Sequence, residues 1–221
     1  MKPSVPDLLT FNGGYVDTAS FLLLQGLFTA HVTGNFVTLG AALVHGTSGA
    51  LAKTLALPVF CIVVAVARTV ANALTGDRGV NALLAMKTGL FTVAAALALG
   101  PFANADSGGA LVTGMCLVAA MAIQNSVQRI HFSRTPPSTV MTGTTTQIMM
   151  DLADLVAGRL PAENRAVVQK SFGALFRSVA VFAVGCAVGA VVYAKGGTQV
   201  LVVPPLIAAA ALARRLRDAT V

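Results

Sequence analysis

Four long apolar runs, residues 54–75, 80–100, 171–194 and 198–213, fix the solvent this chain must live in. Crossing the hydrocarbon of a bilayer takes about 20 mainly apolar residues in helical form. Backbone polar groups inside hydrocarbon must bond within their own segment, so the runs are predicted to be α-helices. Pro58, Pro204 and Pro205 fall near the starts of their runs, where proline is best tolerated. Composition agrees: only 10% of residues are charged, against about 25% in a soluble domain. The expectation is an all-α polytopic membrane protein in which residues 1–221 form a single membrane domain.

The net charge of +7 reads as loop charge that orients the chain in the membrane. No Lys/Arg-rich run with interleaved aromatics occurs, so nucleic acid is not an expected partner. Cys61, Cys116 and Cys186 each lie in an apolar run and lack metal-ligand spacing. No metal and no cofactor is expected. No cleavable signal is evident in the first ten residues. P-loop, GxSxG, HExxH and CxxC motifs are absent, and an enzyme is not expected.

Two regions are less tidy. Residues 8–46 and 109–157 each read as a helix, a break and a second helix. They also resemble each other. Thr33-Gly34 in "HVTGNFVTLG" and Thr142-Gly143 in "VMTGTTTQIM" stand 109 residues apart. At that offset Asn35, Thr38, Ala42 and His45 fall opposite Thr144, Gln147, Asp151 and Asp154, a spacing that follows one helix face. Asp17 falls within one residue of the position matching Asn125. The chain therefore reads as two repeat halves, 1–104 and 105–221.

Orientation follows from Lys and Arg. Arg214, Arg215 and Arg217 put the C-terminus in the cytoplasm, and Arg159, Arg165, Lys170, Arg78 and Lys2 fall on the same side. The loop 101–108, without Lys or Arg, falls outside; Lys53 and Lys195 are exceptions. Each half then makes three net crossings, which inverts the second half relative to the first. Inverted repeats with discontinuous helices are a transporter architecture, with the site near the midplane.

The Thr-Gly pairs are the first candidates for that site. Gly34 and Gly143 permit unusual backbone angles, the Thr33 and Thr142 hydroxyls can cap the helices that follow, and helix starts present free N–H groups to a ligand. Close helix packing uses the same residue types. The expected substrate-binding set is Asp17, Thr33, Gly34, Asn35, Asn125, Thr142, Gly143, Thr144 and Gln147. Asp17, His31, Arg68 and Asp151 are candidates for proton or charge coupling, because ionisable groups at membrane depth face the bundle interior. Arg68 is expected to snorkel or to pair with Asp17 or Asp151. Asp17 reads equally as an interfacial residue, and Asn125, Gln128 and Arg129 equally as a cytoplasmic helix end.

The stretch "GGYVDTASFLLLQGLFTAHVTGNFVTLGAAL", with "AMAIQNSVQRI" and "PSTVMTGTTTQIMMDL", resembles the signatures of the YoaK-like family of bacterial inner-membrane proteins of unknown function. The resemblance rests on Gly14-Tyr15-Val16-Asp17, Thr33-Gly34-Asn35, Gln124-Asn125 and Thr142-Gly143-Thr144. It implies a multi-pass protein of the bacterial inner membrane and supplies no substrate. Arg68 departs from the small residue usual at its position in such proteins. The leading functional expectation is a small secondary transporter for an unidentified solute or ion. A passive channel and a non-transporting scaffold are the alternatives. Membrane lipid and a second copy, as a homodimer, are the other expected partners.

Overall fold

The computed structural model describes residues 3–74, 76–100, 107–139, 141–158 and 160–218. Every regular element among them is helical. In order they are α1 (Val5–Leu23), a 3-10 turn (Val32–Gly34), α2 (Asn35–His45), α3 (Ala50–Ala73), α4 (Asp77–Ala98), α5 (Gly108–His131), α6 (Met141–Ala157), α7 (Ala162–Gly196), a 3-10 stretch (Gly197–Val202) and α8 (Val203–Asp218). The expected runs are all present. Because α3 starts earlier than expected, Pro58 lies inside the helix. Helix α7 is 35 residues long, about 52 Å at the helical rise, so it overhangs any bilayer. Lys2, Arg159 and loop residues 101–106 lie outside the described residues.

The helices α3, α4 and α5 are each long and apolar enough to cross a membrane, as is the stretch Glu163–Asp218 that holds most of α7 with α8. These are the helices of a membrane-spanning protein. Helix α1 is as long as a span but carries Asn12, Asp17 and Ser20, all buried. A polar helix of this kind is stable in lipid only when other helices surround it. Helix α1 packs chiefly on α7 and α8, and α5 on α4 and α3.

Named contacts fix the helix directions. Asp7 pairs with Arg177 at 2.6 Å, and Phe11 and Tyr15 meet Gly185 and Gly189. Helices α1 and α7 are therefore parallel. Their backbones touch: a Cβ on Gly14 would lie 2.2 Å from the Phe182 carbonyl oxygen, and one on Gly185 2.2 Å from that of Phe11. Between apolar helices in lipid, such small-residue contacts supply the packing that hydrophobicity cannot. The α1 and α5 helices are antiparallel, since Leu9 meets Gln124 while Leu24 and Leu27 meet Gly114. The partnerships form a pattern. Helix α1 packs on α7 as α5 packs on α3, α1 on α8 as α5 on α4, and α2 on α3 as α6 on α7.

Polar ties lock the bundle. Tyr15 donates to the Val200 carbonyl at 2.9 Å and Asn12 to that of Pro204 at 3.4 Å. Arg215 of α8 pairs with Asp77 at the start of α4. Lys53, an exception to the charge bias, is buried at the end of α1, where its ammonium donates to the Ser48 carbonyl at 3.3 Å and lies close to Gly49.

Candidate functional site

The first break lies upstream of the Thr-Gly pair. Helix α1 ends where Gln25 and Gly26 take left-handed angles (φ 55° and 84°), and the Gly26 N–H returns to the Phe21 carbonyl at 2.8 Å. This is the Schellman way of closing a helix, with glutamine at the position that glycine usually fills. Gly34 is α-helical (φ −61°, ψ −21°), and Gly143 lies inside α6. The expectation that these glycines supply unusual dihedrals is therefore corrected. Gly34 instead gives room: a Cβ there would stand 3.0 Å from the Phe28 ring. The capping role is corrected too. No side chain caps the 3-10 turn or α2, and Thr142 sits in the first turn of α6 with its carbonyl accepting from Thr146. Thr33, Thr142 and Gly143 are exposed.

What holds the first break is Asp17. Its side chain is 6% exposed. Oδ1 accepts the backbone N–H groups of Thr29 and Ala30, each at 2.8 Å, and Oδ2 meets Nδ1 of His31 at 2.6 Å. Two main-chain donors and an imidazole thus offset the cost of burying the carboxylate. Asn35 completes the fold-back: its Oδ1 accepts from the Phe28 N–H at 2.9 Å and its Nδ2 donates to the Phe28 carbonyl at 2.7 Å. Asp17 is therefore interior, with His31 as its partner. Of the two expectations for Arg68, to snorkel or to pair with Asp17 or Asp151, the pairing is not seen: Arg68 is exposed on α3 facing α5, and Asp151 accepts from Gln147 at 2.7 Å.

The second break is held at the equivalent point. Thr139 donates to Asn125 Oδ1 at 2.7 Å, and Asn125 Nδ2 donates to the Met121 carbonyl. Gln128 ties down the turn that follows, donating to Phe132, Thr135 and Pro136. Gln147 is exposed, whereas Thr144 and Asp151 are buried. The Oδ2 of Asp151 is buried without a hydrogen-bond partner.

Asp17 and Asn125 line separate cavities. One, of about 290 Å³, is bounded by Asp17, Thr18, Phe21 and Leu22 of α1, by Phe28 and His31, and by Phe182 and Cys186 of α7. The other, of about 390 Å³, is bounded by Asn125, Ser126, Arg129 and Ile130 of α5 and by Phe60, Val64 and Arg68 of α3. A shift of 108 residues carries the α1 set onto the α5 set. A shift of 122 carries Phe60 and Val64 onto Phe182 and Cys186. The two cavities thus lie at matching places, one between α1 and α7 and the other between α5 and α3. The two Thr-Gly segments are not brought together, since α2 packs on α3 and α6 on α7.

Sequence reasoning missed Lys87. Its side chain is 0% exposed in the middle of α4, about 15 Å from the helix start by helical rise. The ammonium donates to Gln124 Oε1 at 2.6 Å and lies 5.4 Å from the centre of the Phe91 ring. Gln124 in turn donates to the Leu9 carbonyl at 2.8 Å and to Ser138 Oγ at 3.1 Å. This network joins α4, α5, α1 and the second break. Among the described residues Lys87 has no carboxylate partner. The signal was present as a lone lysine in "NALLAMKTGLF", the depth at which an ionisable residue is a functional candidate.

Residues 7–213 match a family described as "Protein of unknown function (DUF1275)". The chain belongs to this family. The match agrees with the YoaK-like resemblance and covers the full set of helices from α1 into α8. No curated protein and no solved structure matches the chain. Membership of the family therefore brings no substrate, and the chemistry has to come from the residues.

Proposed function

We propose that the protein is a small proton-coupled secondary transporter of two inverted halves, each with three crossing helices and one half-helix. The antiparallel course of α1 and α5 and the matched helix partnerships support the inversion. The two breaks, each tied to a residue at the same helix position, support discontinuous helices as the working parts.

One observation carries the coupling role. A buried carboxylate shares a 2.6 Å contact with an imidazole that is 39% exposed and lines a cavity. Such a pair can take up and release a proton at the cavity, and the same carboxylate holds the main chain ahead of α2. A proton on the carboxylate oxygen itself, rather than on the imidazole, would loosen that hold and so link proton movement to movement of the half-helix. The substrate set Asp17, Thr33, Gly34, Asn35, Asn125, Thr142, Gly143, Thr144 and Gln147 belongs to this reading as the residues that hold the two breaks and those in the helices that follow them.

A thermal-shift screen of metabolites on the purified protein would supply a ligand, and uptake into proteoliposomes would supply the assay. Asp17→Asn keeps an oxygen for the two N–H groups and removes the charge. It is expected to leave the elution profile unchanged and to abolish uptake driven by a proton gradient. Undiminished gradient-driven uptake by the variant would overturn the coupling role. Solute flux that does not saturate would favour the channel reading, and a folded protein that moves no solute the scaffold reading.

A further inference from the structure

We propose that the cavity between α3 and α5 is a binding site for a phosphate group. Its polar lining is Asn125, Ser126, Arg129 and Arg68. The side chains of Asn125 and Ser126 are already engaged with the Met121 and Ala122 carbonyls and with Thr139. The guanidiniums are not engaged: among the described residues neither arginine has a carboxylate partner. Asp77, at the start of α4, is taken by Arg215.

Two unneutralised guanidiniums at one cavity make a strong anion site, and their planar forks suit phosphate oxygens. The placement is specific to this half. At the equivalent positions of the other half stand Phe21 and Ala190, so the two positive charges are an addition to one of two matched cavities. Helices α3 and α5 are parallel, since Ala52 and Ala56 share a core with Leu117 and Val118 while Ala67 shares one with Ile123 and Val127, and both arginines lie in the last two turns. Basic pockets between helices at that depth recognise phospholipid headgroups. Phe60, Val64 and Ile130 line the rest of the cavity, as an acyl chain requires. A dissolved phosphate would use the same two guanidiniums. The site stands on this cavity and does not depend on the transporter reading.

The test is thermal unfolding of the full chain in an uncharged detergent, with phosphatidylglycerol, phosphatidylcholine or inorganic phosphate added at constant ionic strength. Phosphatidylglycerol is expected to stabilise the wild type saturably, and phosphatidylcholine is not. In Arg68→Gln/Arg129→Gln the apparent affinity should fall by at least about tenfold, as expected for losing charge-assisted hydrogen bonds. Arg68→Lys/Arg129→Lys, which keeps the charge, should recover part of it. Saturable stabilisation by inorganic phosphate, lost in the Gln variant, supports the site and assigns it to a soluble phosphate. The proposal is overturned if neither phosphatidylglycerol nor phosphate stabilises the wild type, or if the Gln variant binds as tightly as the wild type. Should the double variant not fold, the two single Gln variants give the same readout.

Discussion

Gly185→Ala is expected to destabilise the protein by at least about 3 kcal/mol, at or beyond the upper end for overpacking a close contact. The new methyl carbon would lie 2.2 Å from the Phe11 carbonyl oxygen and 3.1 Å from the Tyr15 N–H nitrogen. Both are backbone atoms, so no side chain can rotate away and the helices must separate. Gly14→Ala meets the Phe182 carbonyl oxygen at 2.2 Å and should behave alike. Separation of α1 from α7 would also open the cavity at Asp17 and His31. Gly89→Ala is the control, because nothing approaches within 4 Å of its position; it should be neutral or stabilising by about 0.5–1 kcal/mol, the helical preference of alanine. Unfolding in detergent, followed by loss of helical circular dichroism, measures all three. Equal stabilities for Gly185→Ala and Gly89→Ala would contradict the close α1–α7 crossing.

The second large effect is at the buried lysine. Gln124→Leu removes the oxygen that Lys87 donates to and leaves an ammonium enclosed with only the Phe91 ring beside it. Leaving a buried donor without its acceptor typically costs about 1–3 kcal/mol, and more when the donor is charged. It also frees the Leu9 carbonyl and Ser138 from their donor. The double variant Lys87→Met/Gln124→Leu should recover much of the loss, since it leaves no buried charge. Lys87→Met alone should cost less than Gln124→Leu alone. The same unfolding assay on the four proteins gives the coupling between the two sites. Additive losses would mean that the 2.6 Å contact carries no energy of its own.

These two effects show what a sequence of this kind hides. The runs and the two broken regions were legible because hydrocarbon permits only helices of a certain length, and the long apolar stretches obey that limit closely. Asp17 and Asn125 were legible as a matched pair because a polar residue on an apolar helix stands out. The break itself was misplaced. Thr33-Gly34 looks like a break, whereas the chain turns at Gln25-Gly26, and glutamine gives no warning of a left-handed conformation. The role of Gly34 was misread because a glycine that gives room cannot be told from one that supplies an angle until its neighbour is known. The pairing of Arg68 with Asp17 or Asp151, offered beside snorkelling, failed because pairing depends on which helix faces which, and α3 faces α5. Lys87 passed unnoticed because its partner lies 37 residues away. Gly185 and Gly189 belong to an ordinary span until α1 is laid against it.

The inversion of the two halves is the claim on which the transport reading rests, and sidedness tests it most directly. A single added cysteine at Gly108, in open space at the start of α5, would be probed with a membrane-impermeant maleimide in intact spheroplasts, with epitope tags on both ends of the chain. Three crossings per half predict that position 108 reacts from outside while both tags stay hidden until the membrane is opened. Labelling of position 108 only after permeabilisation, on the same side as the tags, would mean an even number of crossings per half and would contradict the inverted architecture.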